Sequence, residues 1–244
     1  MIFEDAKAVQ VDIILEGDCS SLLQTLPKDS FDLVYADPPY DIQQQFHSNL
    51  SKRIRELGYE HKIIPISKWF PRCMELLKES GTMFVSANNA RYLWPHIENH
   101  ELPMPYEFIT WWKPNSMSLK RKNSVFLNSE VILGFVVNPE KRKWKKMIAS
   151  DLLRLAVDSR EFKDIREWFP YPKPRKLIET LVLNTTDEGD TVLDPFFGSG
   201  TTGVVCREFN RHYIGIEINP DFAQKARERI SKVKPRKSLM QFLA

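Results

Sequence analysis

A rigid turn with exposed acceptor groups follows the first strongly apolar segment of the chain. Residues 31–36 are largely apolar, which favours a strand buried on both faces. Pro38 and Pro39 end this strand, because proline donates no backbone hydrogen bond and fixes its own φ. Pro38 also keeps Asp37 out of the helical region. The turn from Asp37 to Tyr40 thus presents a carboxylate, carbonyls and an aromatic ring at a strand's carboxyl end, where open α/β sheets bind ligands.

Such a turn suits a flat chemical group that carries an exocyclic amine. The carboxylate of Asp37 and the carbonyl of Pro38 can each accept one N–H of an NH₂ group, and the ring of Tyr40 can stack on its plane. Asp37, Pro38, Pro39 and Tyr40 are therefore the candidate catalytic residues. The alternative is a proline-terminated strand whose aspartate only caps the next turn. The rest of the chain separates these two interpretations.

A glycine-bearing turn near the end of the chain is the second segment with chemical potential. It follows the apolar strand 191–193 and precedes a helix that continues to about Phe209. The next strand, 213–217, ends in Glu217. Strand, Gly-x-Gly turn, helix and strand with a terminal acid make half of a doubly wound nucleotide-binding fold. An acid about 20 residues beyond such a turn can bind ribose hydroxyls.

The residues around this turn favour S-adenosylmethionine over a nicotinamide dinucleotide. Thr201 and Thr202 stand where the pyrophosphate fingerprint has its third glycine. Asp194 would repel a pyrophosphate but attract a cationic amino group. Backbone amides at the helix start can bind the methionine carboxylate. The Gly-Ser-Gly sequence alone does not distinguish the two ligands.

Length and composition are those of a globular protein. With 244 residues, the chain is long enough for one large α/β domain or two small ones, and we expect a single domain over 1–244. Cys19, Cys73 and Cys206 are far apart and match no metal-binding spacing, which predicts reduced thiols and no metal site. Acidic residues close to Met1 and the lack of an apolar run of roughly 18 residues predict a cytoplasmic protein with no membrane partner.

Basic residues cluster in the middle of the chain. The net charge is only +3, so composition by itself says little about partners. Basic clusters usually lie on solvated faces, but near an amine-binding site they are candidates for phosphate contacts. The candidate residues for contacts with nucleic-acid phosphates are Lys120, Arg121, Lys122, Lys141, Arg142, Lys143, Lys145 and Lys146.

The chain between the two motifs has an uneven pattern. The polar stretch 41–68 has few core candidates and is a candidate mobile loop that orders over substrate. Helical spacing from Trp69 onward predicts a helix with Gly81 as its C′ residue. A second helix is predicted over 91–100. Residues 139–169 lose the alternation of strands and helices and form a candidate inserted target-recognition segment.

Taken together, the two motifs resemble those of a known family. Asp37-Pro38-Pro39-Tyr40 and Asp194-Pro195-Phe196-Phe197-Gly198-Ser199-Gly200-Thr201-Thr202 resemble the amino-methylating DNA methyltransferases of the beta arrangement, in which the catalytic motif precedes the cofactor motif. The resemblance continues at Gly17-Asp18-Cys19, Trp112-Lys113-Pro114, Lys173-Pro174 and Gly215-Ile216-Glu217. It therefore covers nearly the whole chain.

The resemblance implies a fold and a cofactor. The fold is α/β, a doubly wound and mostly parallel Rossmann-like sheet with a circularly permuted motif order. In such a sheet the strand ending at Leu193 lies beside the one ending at Ala36, which brings the methyl donor and the amine acceptor into one crevice. The cofactor is S-adenosylmethionine. The implied cofactor-binding residues are Asp18, Cys19, Asp37, Lys173, Asp194, Pro195, Phe196, Gly198, Ser199, Gly200, Thr201, Thr202, Glu217, Ile218 and Asn219.

The resemblance also implies a substrate, double-stranded DNA with the target base flipped out of the stack. Asp37 at the first position of its motif implies adenine N6, whereas serine there would imply cytosine N4, which stays an alternative. Tyr40 would replace the stacking that the flipped base loses. One segment departs from the family, which often has His-Pro-Thr-Gln-Lys-Pro where this chain has residues 169–174. Of the side-chain contacts usually made there to the methionine end, the resemblance carries over only that of Lys173.

Other functions fit parts of the pattern. A nicotinamide-dependent oxidoreductase would share the sheet and Glu217 but leave Asp37 to Tyr40 without a role. A non-catalytic nucleic-acid binder fits the basic clusters but does not need Asp194. RNA bases and protein glutamine amides also carry planar NH₂ groups. A homodimer, a cognate restriction endonuclease and a bacterial or phage origin are left open by the sequence.

Overall fold

The structure, a computed structural model, describes most of the chain, and the missing parts include several predicted site residues. The described residues are 10–39, 64–87, 93–114, 128–145, 148, 150–156 and 160–237. Most of the candidate mobile loop 41–68 and part of the predicted helix 91–100 lie outside them. The predicted site residues outside them are Tyr40, Lys120, Arg121, Lys122 and Lys146.

Strands and helices alternate over much of the described chain. The strands are β1 Ile13–Glu16, β2 Phe31–Ala36, β3 Leu77–Ala87, β4 Glu107–Trp112, β5 Ser129–Val136, β6 Leu152–Arg154, β7 Thr191–Asp194 and β8 His212–Glu217. The helices are α1 Cys19–Leu22, α2 Phe70–Leu76, α3 Trp94–Glu98, α4 Arg175–Thr185, α5 Thr201–Glu208 and α6 Pro220–Ser231. No helix among the described residues is long and apolar enough to cross a membrane.

The eight strands form one mixed sheet in the order β1-β8-β7-β2-β3-β5-β4-β6. The first five in that order are parallel, β5 runs antiparallel to both of its neighbours, and β4 and β6 are again parallel. Leu33 of β2 lies opposite Val192 of β7, and Val34 lies opposite Leu193. The predicted mostly parallel, doubly wound sheet is confirmed, with the strands of the two motifs side by side.

Helices cover both faces of the sheet, as the continuous apolar run of β2 requires. All six residues of β2 are buried. Val34 and Ala36 pack toward the cluster that includes α1, α2 and α3. Leu33 and Tyr35 pack toward α4, α5 and α6. Side chains alternate along a strand, so β2 can supply both cores.

Some predicted element bounds are wrong. Gly81 does not end a helix, because it lies within β3. Helix α2 stops at Leu76, and Leu77 pairs at once with Phe31, so sheet pairing draws the chain out of the helix before the glycine is reached. The helix predicted over 91–100 is described only as Trp94–Glu98. Tertiary pairing thus overrides local spacing at the end of α2.

The candidate target-recognition segment 139–169 folds onto the domain. Its strand β6 extends the sheet beside β4. Further along, Phe162 and Phe169 pack with Phe222 of α6 in a small aromatic cluster. The rings of Phe169 and Phe222 lie 5.2 Å apart in an edge-to-face arrangement. This part of the segment therefore lies against the helix that follows β8.

Candidate active site

The predicted acids converge at the carboxyl ends of four adjacent strands. Asp18 follows β1, Asp37 follows β2, Asp194 ends β7 and Glu217 ends β8. Asp194 lies opposite Gly215, so Asp194 and Glu217 project from the same face of the sheet. The structure thus brings together residues as far apart along the chain as Asp18 and Glu217. This edge holds the candidate active site.

The glycine turn needs glycine for conformation and for space. Gly198 has φ +52° and Gly200, which caps α5, has φ +74°. A Cβ on Gly198 would lie 2.6 Å from Cζ of Phe169, so the aromatic cluster closes directly over the turn. The first amides of α5 have no partner inside the helix and form a site for an anion. The turn therefore fits a carboxylate ligand.

Asp194 is buried inside the turn. Its Oδ2 accepts a hydrogen bond of 2.6 Å from the hydroxyl of Thr202, and its Oδ1 accepts one of 3.0 Å from the amide of Phe196. Burial raises the pKa of Asp194 to about 7, against the lowering effect of these two hydrogen bonds. The nearby charges of Asp37 and Glu217 raise it further. A carboxyl group with such a pKa changes charge near neutral pH.

Glu217 holds the turn to β8. Its Oε2 accepts a hydrogen bond of 2.8 Å from the amide of Gly198, and its Oε1 accepts one of 2.9 Å from the amide of Asn219. Burial raises the pKa of Glu217, although these amides act in the opposite direction. Each oxygen keeps a second lone pair, so a role toward ribose hydroxyls stays a prediction.

The remaining predicted cofactor residues line the same edge. Asp18 caps α1 by accepting a hydrogen bond of 2.8 Å from the amide of Ser20, as expected of a helix cap. Cys19 is buried, and burial together with the charge of Asp18 raises the pKa of its thiol to about 12. Asn219 caps α6, while Ile218 is 53% exposed. An exposed apolar side chain beside Glu217 fits contact with a ligand ring.

Four side chains of alternating charge form a row that ends at Asp37. Nζ of Lys173 lies 3.0 Å from Oδ1 of Asp37 and 2.8 Å from Oε2 of Glu130. Oε1 of Glu130 accepts a hydrogen bond from Nζ of Lys113. Burial alone would raise the pKa of Glu130, but the charges of Lys173 and Lys113 outweigh it and lower the pKa to about 2. We call Lys113, Glu130, Lys173 and Asp37 the charge row.

The structure does not bring the second basic cluster to this edge. These residues follow β5, which runs toward the amino ends of the parallel strands, and they pair with acids there. Lys141 lies 2.8 Å from Glu79, Arg142 lies 2.6 Å from Glu107, Lys143 lies 2.5 Å from Asp190, and Lys145 lies 2.6 Å from Asp187. The predicted DNA contacts of these four residues therefore have no support in their placement.

Sequence patterns missed two residues of the site. Glu130 is the second residue of β5 and gives no signal in the sequence. Arg229 lies on α6, where its guanidinium donates a hydrogen bond of 2.9 Å to the carbonyl of Ser199 and lies 3.1 Å from Oγ1 of Thr201. Burial lowers the pKa of Arg229 to about 10. A charged residue in the last turn of an amphipathic helix is indistinguishable, by sequence alone, from a solvated one.

Comparison with known proteins identifies the family. The family model described as DNA methylase matches residues 31–228. The chain belongs to the DNA methylase family. The resemblance drawn from the two motifs is thereby confirmed, and an oxidoreductase or a non-catalytic binder is no longer an alternative. The matched residues run from the first residue of β2 into α6, so both motifs lie inside them.

Individual relatives match this DNA methylase over most of their length. The type II methyltransferase M2.DpnII of Streptococcus pneumoniae is 29% identical over 241 residues, which cover 89% of each chain. The solved structure of M1.HpyAVI, a complex with SAM, is 25% identical with a TM-score of 0.63 and covers 89% of this chain and 98% of its own. The cytosine-N4-specific PvuII DNA methyltransferase is 23% identical with a TM-score of 0.66 over 90% of each chain, which shows the shared fold.

Proposed function

We propose that this DNA methylase transfers a methyl group from S-adenosylmethionine to N6 of a flipped-out adenine in double-stranded DNA. The observation that carries the proposal is the adjacency of β2 and β7, which sets the Asp37 turn beside the glycine turn. One turn offers acceptors for an amine, and the other offers a cradle for a donor. The solved complex of the relative M1.HpyAVI with SAM supports the same donor here.

The residues present fit such a donor. The amides at the start of α5 suit its carboxylate, and Asp194 suits its cationic amino group. Glu217 stands at the end of the neighbouring strand, where an acid can accept hydrogen bonds from ribose hydroxyls. Glycine at position 198 allows the Phe169 ring to pack against this turn, since an added Cβ would lie 2.6 Å from that ring. When bound, S-adenosylmethionine supplies a methyl group on a positively charged sulfur.

Asp37 prepares the nitrogen that receives the methyl group. The lone pair of an exocyclic amine is delocalised into the base ring, which makes the amine a poor nucleophile. Hydrogen bonds from the NH₂ group to Asp37 and to the carbonyl of Pro38 localise that lone pair on the nitrogen. Asp37 is also the group that can accept the proton which the nitrogen gives up as its new bond to carbon forms. Pro38 and Pro39 keep these acceptors in place, because they stiffen the turn.

Adenine is favoured over cytosine by the residue at the start of the motif. The chain has Asp37 where cytosine-N4 enzymes of the resembling family have serine. Cytosine N4 is the second candidate, since the PvuII enzyme named for that specificity shares the fold. A cytoplasmic location in a bacterial host stays a prediction from the sequence, which leaves a homodimer and a cognate restriction endonuclease open.

Nucleoside analysis distinguishes the two bases. The protein is expressed in a bacterium that lacks its own DNA methylation, and the genomic DNA is digested to nucleosides and measured by mass spectrometry. We expect N6-methyladenine, and none with the Asp37→Ala variant. N4-methylcytosine in its place would contradict the choice of base, and an absence of both with active, folded protein would contradict methyl transfer to DNA. Modification-sensitive sequencing of the same DNA gives the recognition site.

A further inference from the structure

The charge row reaches beyond the two motifs, and three of its members, Lys113, Glu130 and Lys173, have no role in the reaction as derived so far. Lys113, Glu130, Lys173 and Asp37 come from the end of β4, the start of β5, the segment before α4 and the turn after β2. Their side chains are only 9% to 21% exposed. Removing four charges from water costs free energy that their pairing only partly offsets, so stability alone does not account for the row.

We propose that Glu130 is a positioning residue for methyl transfer, which balances the charge of Lys173 so that Asp37 keeps its full capacity to accept the substrate amine. The proposal rests on the proposed function, because it assigns a role within the same site. Lys173 has two carboxylate neighbours, Asp37 at 3.0 Å and Glu130 at 2.8 Å. An ammonium group that two carboxylates share neutralises the charge of Asp37 less than an ammonium group that pairs with Asp37 alone.

The backbone of Lys173 is restrained, so its side chain starts from a defined position beside the two carboxylates. Pro172 and Pro174 flank it, and proline restricts φ. The carbonyl of Lys173 accepts a hydrogen bond of 3.2 Å from Oγ1 of Thr201 in the first turn of α5. Its ammonium group lies between the two carboxylates, 3.0 Å from Asp37 and 2.8 Å from Glu130. Glu130 is in turn held by Lys113, which donates to its other oxygen.

The charge balance of the row makes the proposal testable by substitution. Two lysines and two acids sum to zero. Glu130→Gln keeps the shape of the side chain but leaves the row with one excess positive charge next to Asp37. The double variant Lys113→Gln/Glu130→Gln restores neutrality. If charge balance matters, the double variant is more active than the single one, which is the reverse of what two independent structural defects would give.

The kinetic test separates positioning from folding. In single-turnover methylation of duplex DNA, we expect Glu130→Gln to lower the rate about 30-fold, with the dissociation constant of S-adenosylmethionine changed less than threefold. We expect the acid limb of the rate against pH to move to lower pH, because an unbalanced Lys173 favours the ionised form of Asp37. The double variant should methylate DNA at least threefold faster than Glu130→Gln. Glu79→Gln, which breaks an exposed pair with Lys141 at the opposite edge, is the matched control and should behave as wild type.

Either of two results would overturn the role of Glu130. One is a Glu130→Gln rate within threefold of wild type. The other is a loss that the double variant does not relieve and that comes with an equal loss of cofactor affinity and of melting temperature. If wild-type protein itself methylates no DNA, the proposed function fails, which is a different outcome.

The outer strands β6 and β4 carry an arginine and a tryptophan side by side at their carboxyl ends. Arg154 ends β6 and Trp112 ends β4, and the two strands are parallel to each other and to β2. Both residues therefore lie at the edge of the sheet that holds Asp37. The guanidinium of Arg154 lies 4.9 Å from the centre of the Trp112 ring. The side chain of Arg154 is exposed and has no carboxylate or hydrogen-bond partner among the residues that the structure describes.

We infer that Arg154 binds a backbone phosphate of the DNA, again on the basis of the proposed function. The Trp112 ring holds the planar guanidinium in place and leaves its N–H donors free, which suits a phosphate better than a flexible lysine would. Four strand spacings separate β6 from β2, about 19 Å across the sheet, a width that one DNA duplex can bridge. By contrast, Lys141 at the opposite edge is already paired with an acid.

Salt dependence of binding tests this contact. Log affinity falls as log salt concentration rises, and each phosphate contact adds about 0.9 to the magnitude of that slope. We expect Arg154→Gln to lower that slope by about 0.9 for a cognate duplex, with an unchanged melting temperature. Lys141→Gln is the matched control and should leave the slope as in wild type. An unchanged slope for Arg154→Gln, or an equal drop for Lys141→Gln, would overturn the assignment, whereas wild-type protein that binds no duplex would instead count against the proposed function.

Discussion

The hydroxyl of Thr202 in α5 donates a hydrogen bond of 2.6 Å to Oδ2 of Asp194, the last residue of β7. This bond crosses the glycine turn and ties the start of the helix to the end of the strand. The amide of Phe196 holds the other carboxylate oxygen at 3.0 Å. The turn is thus built around a buried acid, Asp194, and burial raises the pKa of this acid to about 7. The protonation of one residue therefore affects both the turn and its ligand.

Binding of S-adenosylmethionine should weaken as the pH falls through 7. Only ionised Asp194 attracts the amino group of the donor, and a pKa of about 7 leaves roughly a tenth of it ionised at pH 6. We expect about a tenfold lower affinity at pH 6 than at pH 8, measured by isothermal titration calorimetry. Folding has the opposite preference: the raised pKa means that the contribution of Asp194 to stability is full below pH 4 and is lost as the pH rises to about 7.

Methylthioadenosine, which lacks the amino acid part of the donor, is the matched ligand for this prediction. Its affinity should show no step near pH 7. In the Asp194→Asn variant, the step should also disappear for S-adenosylmethionine. A step that persists in the variant would mean that another group titrates.

Asp37→Ala should abolish catalysis and spare cofactor binding. The variant removes the acceptor for the amine but none of the turn that cradles the donor. We expect a loss of at least about a hundredfold in the single-turnover rate, the size found when a single group that stabilises a transition state is removed. The dissociation constant of S-adenosylmethionine should change less than threefold. Methylation at a near-normal rate would mean that Asp37 does not act on the amine.

Gly198→Ala should destabilise the protein and weaken cofactor binding. An alanine at position 198 would have to adopt φ +52°, and its Cβ would lie 2.6 Å from the Phe169 ring. We expect the free energy of unfolding to fall by about 3 kcal/mol, from backbone strain and overpacking together. Gly189→Ala is the matched control, because Gly189 also has positive φ, +83°, but no atom within 4 Å of an added Cβ. It should cost about 1 kcal/mol, and equal losses in chemical denaturation would show that Phe169 does not restrict the turn.

Tyr40→Ala should weaken capture of the flipped base more than it weakens cofactor binding. Tyr40 follows the two prolines of the catalytic motif and lies outside the described residues. Stacking of a base on an aromatic ring is worth about 1–3 kcal/mol, so we expect duplex binding to fall about tenfold or more. A duplex with 2-aminopurine at the target position reports flipping by its fluorescence. Equal losses in base capture and cofactor affinity would count against stacking.

Much of the sheet and half of the site follow from short segments of sequence. The apolar run before Pro38 and the strand before the glycine turn are recognisable because burial on both faces leaves no polar positions. Gly198 and Gly200 are recognisable because only glycine takes positive φ freely. The end of α2 cannot be recognised from the sequence, because it depends on the pairing of Leu77 with Phe31, which joins distant segments of the chain.

What the sequence alone determined was the pair of motifs, their order and the kind of group each can bind, since these depend on residue types within a few positions of one another. Only the tertiary structure decided that Lys173 and Glu130 stand next to Asp37, and that Lys141 lies at the far edge while Arg154 lies at the near one. The reason is physical. The direction and order of the strands decide which strand ends lie at the same edge of the sheet. The sequence position of a charged residue does not reveal at which edge it lies or which residue it pairs with.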